Sequence, residues 1–135
     1  MPFELSIVTP QGEVYHGPVE SVVLPGSEGD FGVLPEHERF LSPLRIGALE
    51  IRTAAEELNA AIAEGFAEVG GGRVVVLVES CELADEIDVA RAELDRDRAR
   101  EGLEALDRDG DAERYAHYEA ALAHAHARIQ VSQKK

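Results

Sequence analysis

The sequence predicts an all-β sandwich followed by an antiparallel hairpin of two α-helices. Three observations carry this reading. Residues 3–79 break into short apolar runs separated by Gly and Pro turns, the pattern of an antiparallel sandwich or barrel. At about Asp85 the apolar period lengthens from 2 to 3.6 residues. The helical stretch is then interrupted once, by Asp107-Arg108-Asp109-Gly110-Asp111, a link so short that the two helices must lie antiparallel. The chain divides into residues 1–85 and residues 86–135.

In residues 3–8, Phe3, Leu5 and Ile7 face one way while Glu4 and Ser6 face the other. Thr9-Pro10-Gln11-Gly12 is a turn, with Pro presetting φ and Gly free to take a positive value. Strands 13–15 and 19–24 follow, with Gly17-Pro18 expected as a bulge or kink between them. Residues 47–52 alternate again, with Leu49 and Ile51 inward. Runs 58–63 and 66–69 read as a further pair. Gly70-Gly71-Gly72 is a tight turn into residues 73–78, whose valines suit a strand buried on both faces.

Residues 88–106 are rich in Ala, Arg, Glu and Leu, contain no Pro and have only Gly102 as a weak point. Asp85 or Asp88 suits the N-cap of this first helix. Gly110 suits a C-terminal cap, and Asp111 the N-cap of a second helix over 112–131. On that helix Tyr115, Tyr118, Leu122, Ala125 and Ile129 recur at 3, 4, 3, 4, a narrow apolar seam. The first helix offers only a broken stripe of Ala92, Ala99, Leu103 and Leu106. So small an apolar area leaves the hairpin marginal by itself, and an element of that kind can occupy more than one position.

Charge narrows the partners. The 135 residues carry 13 Lys+Arg against 27 Asp+Glu, a net −14, which repels nucleic acid and anionic lipid and favours basic protein surfaces. Residues 1–85 hold 15 of the acids and only four Arg, net −11; residues 86–135 hold 12 acids and nine bases. Aromatics at 5%, with no Trp, argue against a base-stacking surface. No run approaches the roughly 18 apolar residues that span a bilayer, and no secretory signal is visible. Direct membrane insertion is therefore not expected, and membrane association would come through a protein partner. The lone Cys81 has no internal disulfide partner, which makes a reducing cytoplasm the default.

No catalytic signature stands out. Nothing in the sequence places a histidine beside Cys81, and His124 and His126, two apart, fall on different faces of a helix, so neither a Cys/His pair nor a metal site is expected. The Gly-rich stretch 25–32 lacks the Lys of a phosphate-binding loop and carries Glu28 and Asp30, which repel phosphate; it reads as a tight turn. Asp88, Arg91, Asp95 and Arg98 are spaced 3, 4, 3 on one helix face, with the two arginines about 10 Å apart. That spacing either clamps a polyphosphate through forked guanidinium contacts or forms a solvated face laced with ion pairs.

Val23-Leu24-Pro25-Gly26-Ser27-Glu28-Gly29-Asp30-Phe31-Gly32-Val33-Leu34-Pro35-Glu36-His37 resembles the hallmark segment of the epsilon subunits of bacterial F-type ATP synthases. So do Leu44-Arg45-Ile46-Gly47-Ala48-Leu49, Gly65-Phe66-Ala67-Glu68-Val69 and the opening Val8-Thr9-Pro10 with Val14 and Tyr15. The resemblance implies a ten-stranded sandwich with a mobile two-helix domain and no active site. It implies a central-stalk rotor component at the cytoplasmic face of the membrane, seated on the gamma subunit and on the polar loops of the c-ring. Such a component couples proton flow to ATP synthesis, and its raised helices reach the alpha/beta catalytic head and restrain hydrolysis.

The resemblance also implies site residues. Glu28, Asp30 and His37 fall at the ring and stalk contact, with Glu38-Arg39 standing where the family commonly has Ala-Pro. Ile87-Asp88-Val89-Ala90-Arg91-Ala92 matches the motif of members whose folded-down hairpin binds ATP. Glu82, Asp88, Arg91, Arg98 and Arg128 match nucleotide positions, while His124 replaces a second-helix arginine and at neutral pH supplies no forked cation. No cofactor is required on this reading, and ATP is a regulatory ligand. Arg114, His117, His124 and Arg128, spaced with Ala121 at 3, 4, 3, 4, form a stripe that would meet an acidic loop of the catalytic beta subunit and strengthen as the histidines protonate near pH 6. The competing expectation is a free-standing ATP-sensing adaptor with the same two-part fold.

Overall fold

The structure is a computed structural model that describes residues 2–35 and 39–134. Among these residues ten strands precede two helices: β1 (Phe3–Thr9), β2 (Gly12–Val19), β3 (Ser21–Gly26), β4 (Gly29–Val33), β5 (Phe40–Leu44), β6 (Gly47–Arg52), β7 (Glu57–Ile62), β8 (Gly65–Gly70), β9 (Arg73–Val78) and β10 (Cys81–Leu83). A 3₁₀ turn (Ala84–Glu86) leads into α1 (Val89–Glu104) and α2 (Ala112–Ser132).

The strands run in the order β10-β7-β6-β3-β5-β8-β9-β1-β2, with β4 paired to β3. Neighbours are antiparallel except β1 and β9, which run parallel. The sandwich closes on one core containing Leu5, Ile7, Leu24, Leu49, Ile51, Val74 and Val76, none measurably exposed. These are the alternating inward positions, so the period-2 pattern and the core coincide.

Several details differ from the sequence reading. Gly17-Pro18 does not break a strand; β2 runs through to Val19, and the irregularity lies earlier, at Val14 of β2, where the register shifts between Ile7 and Val8 of β1. Pro18 is tolerated because β2 ends the strand order, where a missing N–H breaks no second ladder. Runs 58–63 and 66–69 do not pair with each other: β7 lies between β6 and β10, and β8 between β5 and β9. β9 is buried on one face only, with Leu77 49% exposed. The strand covered on both faces is β7, whose Ala60 enters the core while Ala61 packs under α2.

Gly70, Gly71 and Gly72 all take positive φ (149°, 63° and 76°), which makes the β8–β9 turn one that only glycines fill without strain. In the hairpin, Asp88 caps α1 by accepting the Arg91 N–H at 3.1 Å. Ala105, not Gly110, is the C-cap of α1. Asp111 stands at the N-cap of α2, but its carboxylate accepts from the Asp107 N–H and so braces the turn instead of the helix. Gly102 also has a reason to be small: a Cβ there would lie 2.7 Å from the Tyr118 ring, so its absence lets the helices close.

α2 joins the two parts. One face carries Tyr118 and Ala125 toward α1; another carries Ala127 and Val131 onto Ala61, Ala84 and Ile87, with Ile46 and Ala48 alongside. α2 crosses β6 and β7, whereas α1 packs chiefly on α2.

Candidate functional site

A cavity of about 230 Å³ opens between the helices, lined by Asp95, Arg98 and Ala99 of α1 and by His117, Tyr118, Ala121, His124, Ala125 and Arg128 of α2. At its sandwich end the Arg128 guanidinium bridges the two parts of the molecule. Its Nε lies 2.7 Å from Glu82 Oε1 of β10, its Nη2 donates to Glu82 Oε2 at 3.3 Å, and its Nη1 donates to Asp95 Oδ2 at 3.5 Å. The Arg128 side chain is 12% exposed, so solvent and salt screen these pairs less than surface ones.

The five residues matched to nucleotide positions are only partly gathered. Glu82 and Arg128 meet directly. Arg98 lines the cavity. Asp88 spends its carboxylate on the helix cap, and Arg91 donates through Nε to Asp95 Oδ1 at 3.1 Å. Asp95, absent from the matched set, is the hub that binds both arginines. Its position four residues after Arg91 carried that signal. Of the two arginines that line this cavity, Arg128 is already held by carboxylates.

The stripe on α2 is divided. Arg114 and His117 are exposed, whereas His124 and Arg128 turn inward against α1 and β10. His124 Nε2 is buried with no hydrogen-bond partner. Burial, and then the neighbouring Arg128 cation, pull the His124 pKa below its ordinary value, against the opposing carboxylates of Glu82 and Asp95. The groups facing it are Asp95 and Arg98 from α1, His117 and Arg128 from its own helix, and Glu82 from β10. Because the docked state favours neutral His124, the released state binds the proton more readily. Docking is therefore expected to be strongest above about pH 6.5 and to weaken as pH falls toward the depressed value. Hydrogen exchange of the α2 amides across pH 7.5 to 5.5, corrected for intrinsic rates, checks this; His124→Gln should flatten the profile.

Nothing in the surroundings of Cys81 activates its thiol. Burial, then Glu86 and Glu82, push its thiol up to about 12, leaving it protonated at neutral pH. Elsewhere on the sandwich, Glu28 and Asp30 stand exposed at and beside the β3–β4 turn, and Asp30 is paired with Arg45. His37, the third contact residue, lies outside the described residues.

The strands that α2 leaves uncovered carry an apolar row. Pro43 of β5, Phe66 of β8, Leu77 of β9 and Val8 of β1 stand in register across four strands. Phe66 is 52% and Leu77 49% exposed, and Leu41, two residues before Pro43 on β5, is 66% exposed. Apolar side chains in such continuity on a sheet face mark a candidate interaction surface.

Fold and site together define a two-part interaction module: a sandwich with an open apolar face and a helical hairpin docked by ion pairs. The family model for the ATP synthase delta/epsilon chain β-sandwich domain matches residues 2–84, and that for the long α-helix domain of the same chains matches 85–133. The ATP synthase epsilon chain of Nitratidesulfovibrio vulgaris (strain DP4) is 42% identical over 127 residues, 94% of this chain and 92% of the relative. That of Syntrophobacter fumaroxidans is 43% identical over 132 residues, 97% and 96% of the two chains. The chain belongs to the ATP synthase delta/epsilon family, among its epsilon chains, and is a non-catalytic subunit of the F-type synthase.

The fold recurs in a chain of the Euglena gracilis mitochondrial ATP synthase F1/c-ring assembly. There the TM-score is 0.83 at 23% identity, covering 98% of this chain and 81% of that one. A chain of the Tetrahymena thermophila central stalk and c-ring gives a TM-score of 0.58 at 14% identity, covering 97% and 93%. No helix among the described residues is long and apolar enough to cross a membrane.

Proposed function

We propose that the chain is a rotor component of the central stalk, seated on the gamma subunit and the polar loops of the c-ring at the cytoplasmic face of the membrane. It couples proton flow to ATP synthesis. The hairpin of residues 86–135 is its regulatory part: docked as described above it leaves the catalytic head free, and raised it presents Arg114, His117, His124 and Arg128 to the alpha/beta head and restrains hydrolysis. Glu28, Asp30 and His37 form the ring and stalk contact. ATP is a regulatory ligand of the cavity between the helices, where Arg98 and Arg128, with Glu82, Asp88 and Arg91 nearby, would receive it.

The apolar row of Pro43, Phe66, Leu77 and Val8 is the observation that carries the stalk reading, because it offers exposed apolar side chains in register on strands the hairpin does not cover. The test is retention on washed membranes and in purified synthase. Phe66→Asp combined with Leu41→Asp should reduce retention by at least about tenfold, the order expected from burying two charges in an interface. Folding is checked on the isolated variant. Equal retention of variant and parent would overturn the assignment of this face. Titration calorimetry with ATP decides the ligand: no heat at millimolar ATP, or heat unchanged by Arg98→Ala, would remove the nucleotide.

A further inference from the structure

Among the described residues, β4 is bonded through its backbone to β3 alone. Its tip bears Asp30, opposite Pro25 in register. Beyond Pro25, on the other side, Arg45 donates its backbone N–H to the Pro25 carbonyl at 2.9 Å. Asp30, Pro25 and Arg45 thus form one row across three segments, and the Arg45 side chain spans it: Nη2 donates to Asp30 Oδ1, and Nη1 to the Ile46 carbonyl at 3.4 Å. The space for this reach comes from Gly47, where a Cβ would stand 2.7 Å from Arg45 Nη1 and 2.9 Å from Pro25 Cβ.

An acidic body with only four arginines places one of them against the acid at this turn. The pair is exposed, 47% for Arg45 and 58% for Asp30, and such pairs contribute only about 0–1 kcal/mol to stability. Its effect is on direction. One guanidinium N–H holds one carboxylate oxygen of Asp30, and the cation offsets one of the two negative charges at Glu28 and Asp30.

We propose that Arg45 is a positioning residue for the ring contact: anchored across Pro25 in the space Gly47 leaves, it holds the Asp30 carboxylate at the β3–β4 tip. The partner then meets an Arg–Asp edge with a donor and an acceptor side by side, which fits a loop of uncharged polar groups and backbone amides. This rests on the reading of Asp30 as the ring contact.

The test uses the assembled synthase in vesicles, reading proton pumping per ATP hydrolysed for Asp30→Asn, Arg45→Gln, Arg45→Lys and the Asp30→Asn/Arg45→Gln double variant. Amide exchange of residues 29–32 is read in parallel on the isolated chain. Arg45→Gln should speed that exchange about threefold, the size an exposed pair supports, and lower the coupling ratio. Arg45→Lys should restore part of both, and the double variant should be no worse than Asp30→Asn alone. Normal coupling in Asp30→Asn would overturn the ring-contact reading and this role with it. Impaired Asp30→Asn with normal Arg45→Gln, or additive losses in the double variant, would overturn the role of Arg45 alone.

Discussion

Val131→Asp is expected to lift the helical hairpin off the sandwich while leaving the sandwich folded. Val131 is fully buried, and it packs with Ala61, Ala84, Ile87 and Ala127, most of them small residues. Losing its apolar burial removes about 1.5–3 kcal/mol, and placing a carboxylate there without a partner adds a penalty of similar size. The docked apolar contact is too small to absorb both. The main core contains no residue of α1 or α2, so the strands lose none of their own packing. Hydrogen exchange is the direct measurement: amides of Val89–Glu104 and Ala112–Ser132 should lose protection while those of β1, β6 and β9 keep theirs. A fall in far-ultraviolet helicity should accompany it, since two helices with so little apolar surface lose most of their tertiary support apart from the sheet. Loss of protection in both parts together would show a single cooperative unit instead.

Arg128→Ala is expected to have the next largest effect. It leaves Glu82 and Asp95 facing one another from β10 and α1 with no cation between them. The two carboxylates are about a third exposed, so the full penalty of a buried orphan charge does not apply. A destabilisation of docking on the order of 1–3 kcal/mol follows. Arg128→Lys should recover part, because an ammonium reaches one carboxylate but not both in a fork. Lys134→Ala is the control: its pair with Glu50, at 3.0 Å, is more than a third exposed on both sides, and its removal should change docking little. The same exchange experiment separates the three. Equal effects of Arg128→Ala and Lys134→Ala would mean that the bridging arginine carries no special share.

The regular strands were legible because alternation in β1, β6 and β8 places their buried residues at every second position. β4, β5 and β10 were not, for separate reasons. β4 lies in a Gly-rich run that local rules read as turn, β5 holds Pro43 and puts its apolar Leu41 in solvent, and β10 is three residues long. The partner of β7 was misread because its two-residue link to β8 suggests a hairpin, whereas β7 pairs with the preceding β6 across residues 53–56 and with β10 on its other side. On α2 the seam toward α1 was visible in its tyrosines and leucine. The second buried face, Ala127 and Val131, was hidden because alanines on both sides of the helix give little hydropathic contrast. The bridge from Arg128 to Glu82 spans 46 residues of sequence, a distance at which spacing carries no signal.

α2 is docked near its C-terminal end, at Ala127 and Val131, while the turn at 107–111 lies at its other end. Between the two runs a rigid rod of about 25 Å, at 1.5 Å per residue. That arrangement is a crowbar. A sideways push on the turn works through the whole length of the rod against a fulcrum of a few small side chains, so a weak force applied there does what a much stronger one would be needed for at Val131. Whatever grips the turn has mechanical advantage over the latch, and a body sweeping past the molecule could prise the hairpin loose without touching the residues that hold it.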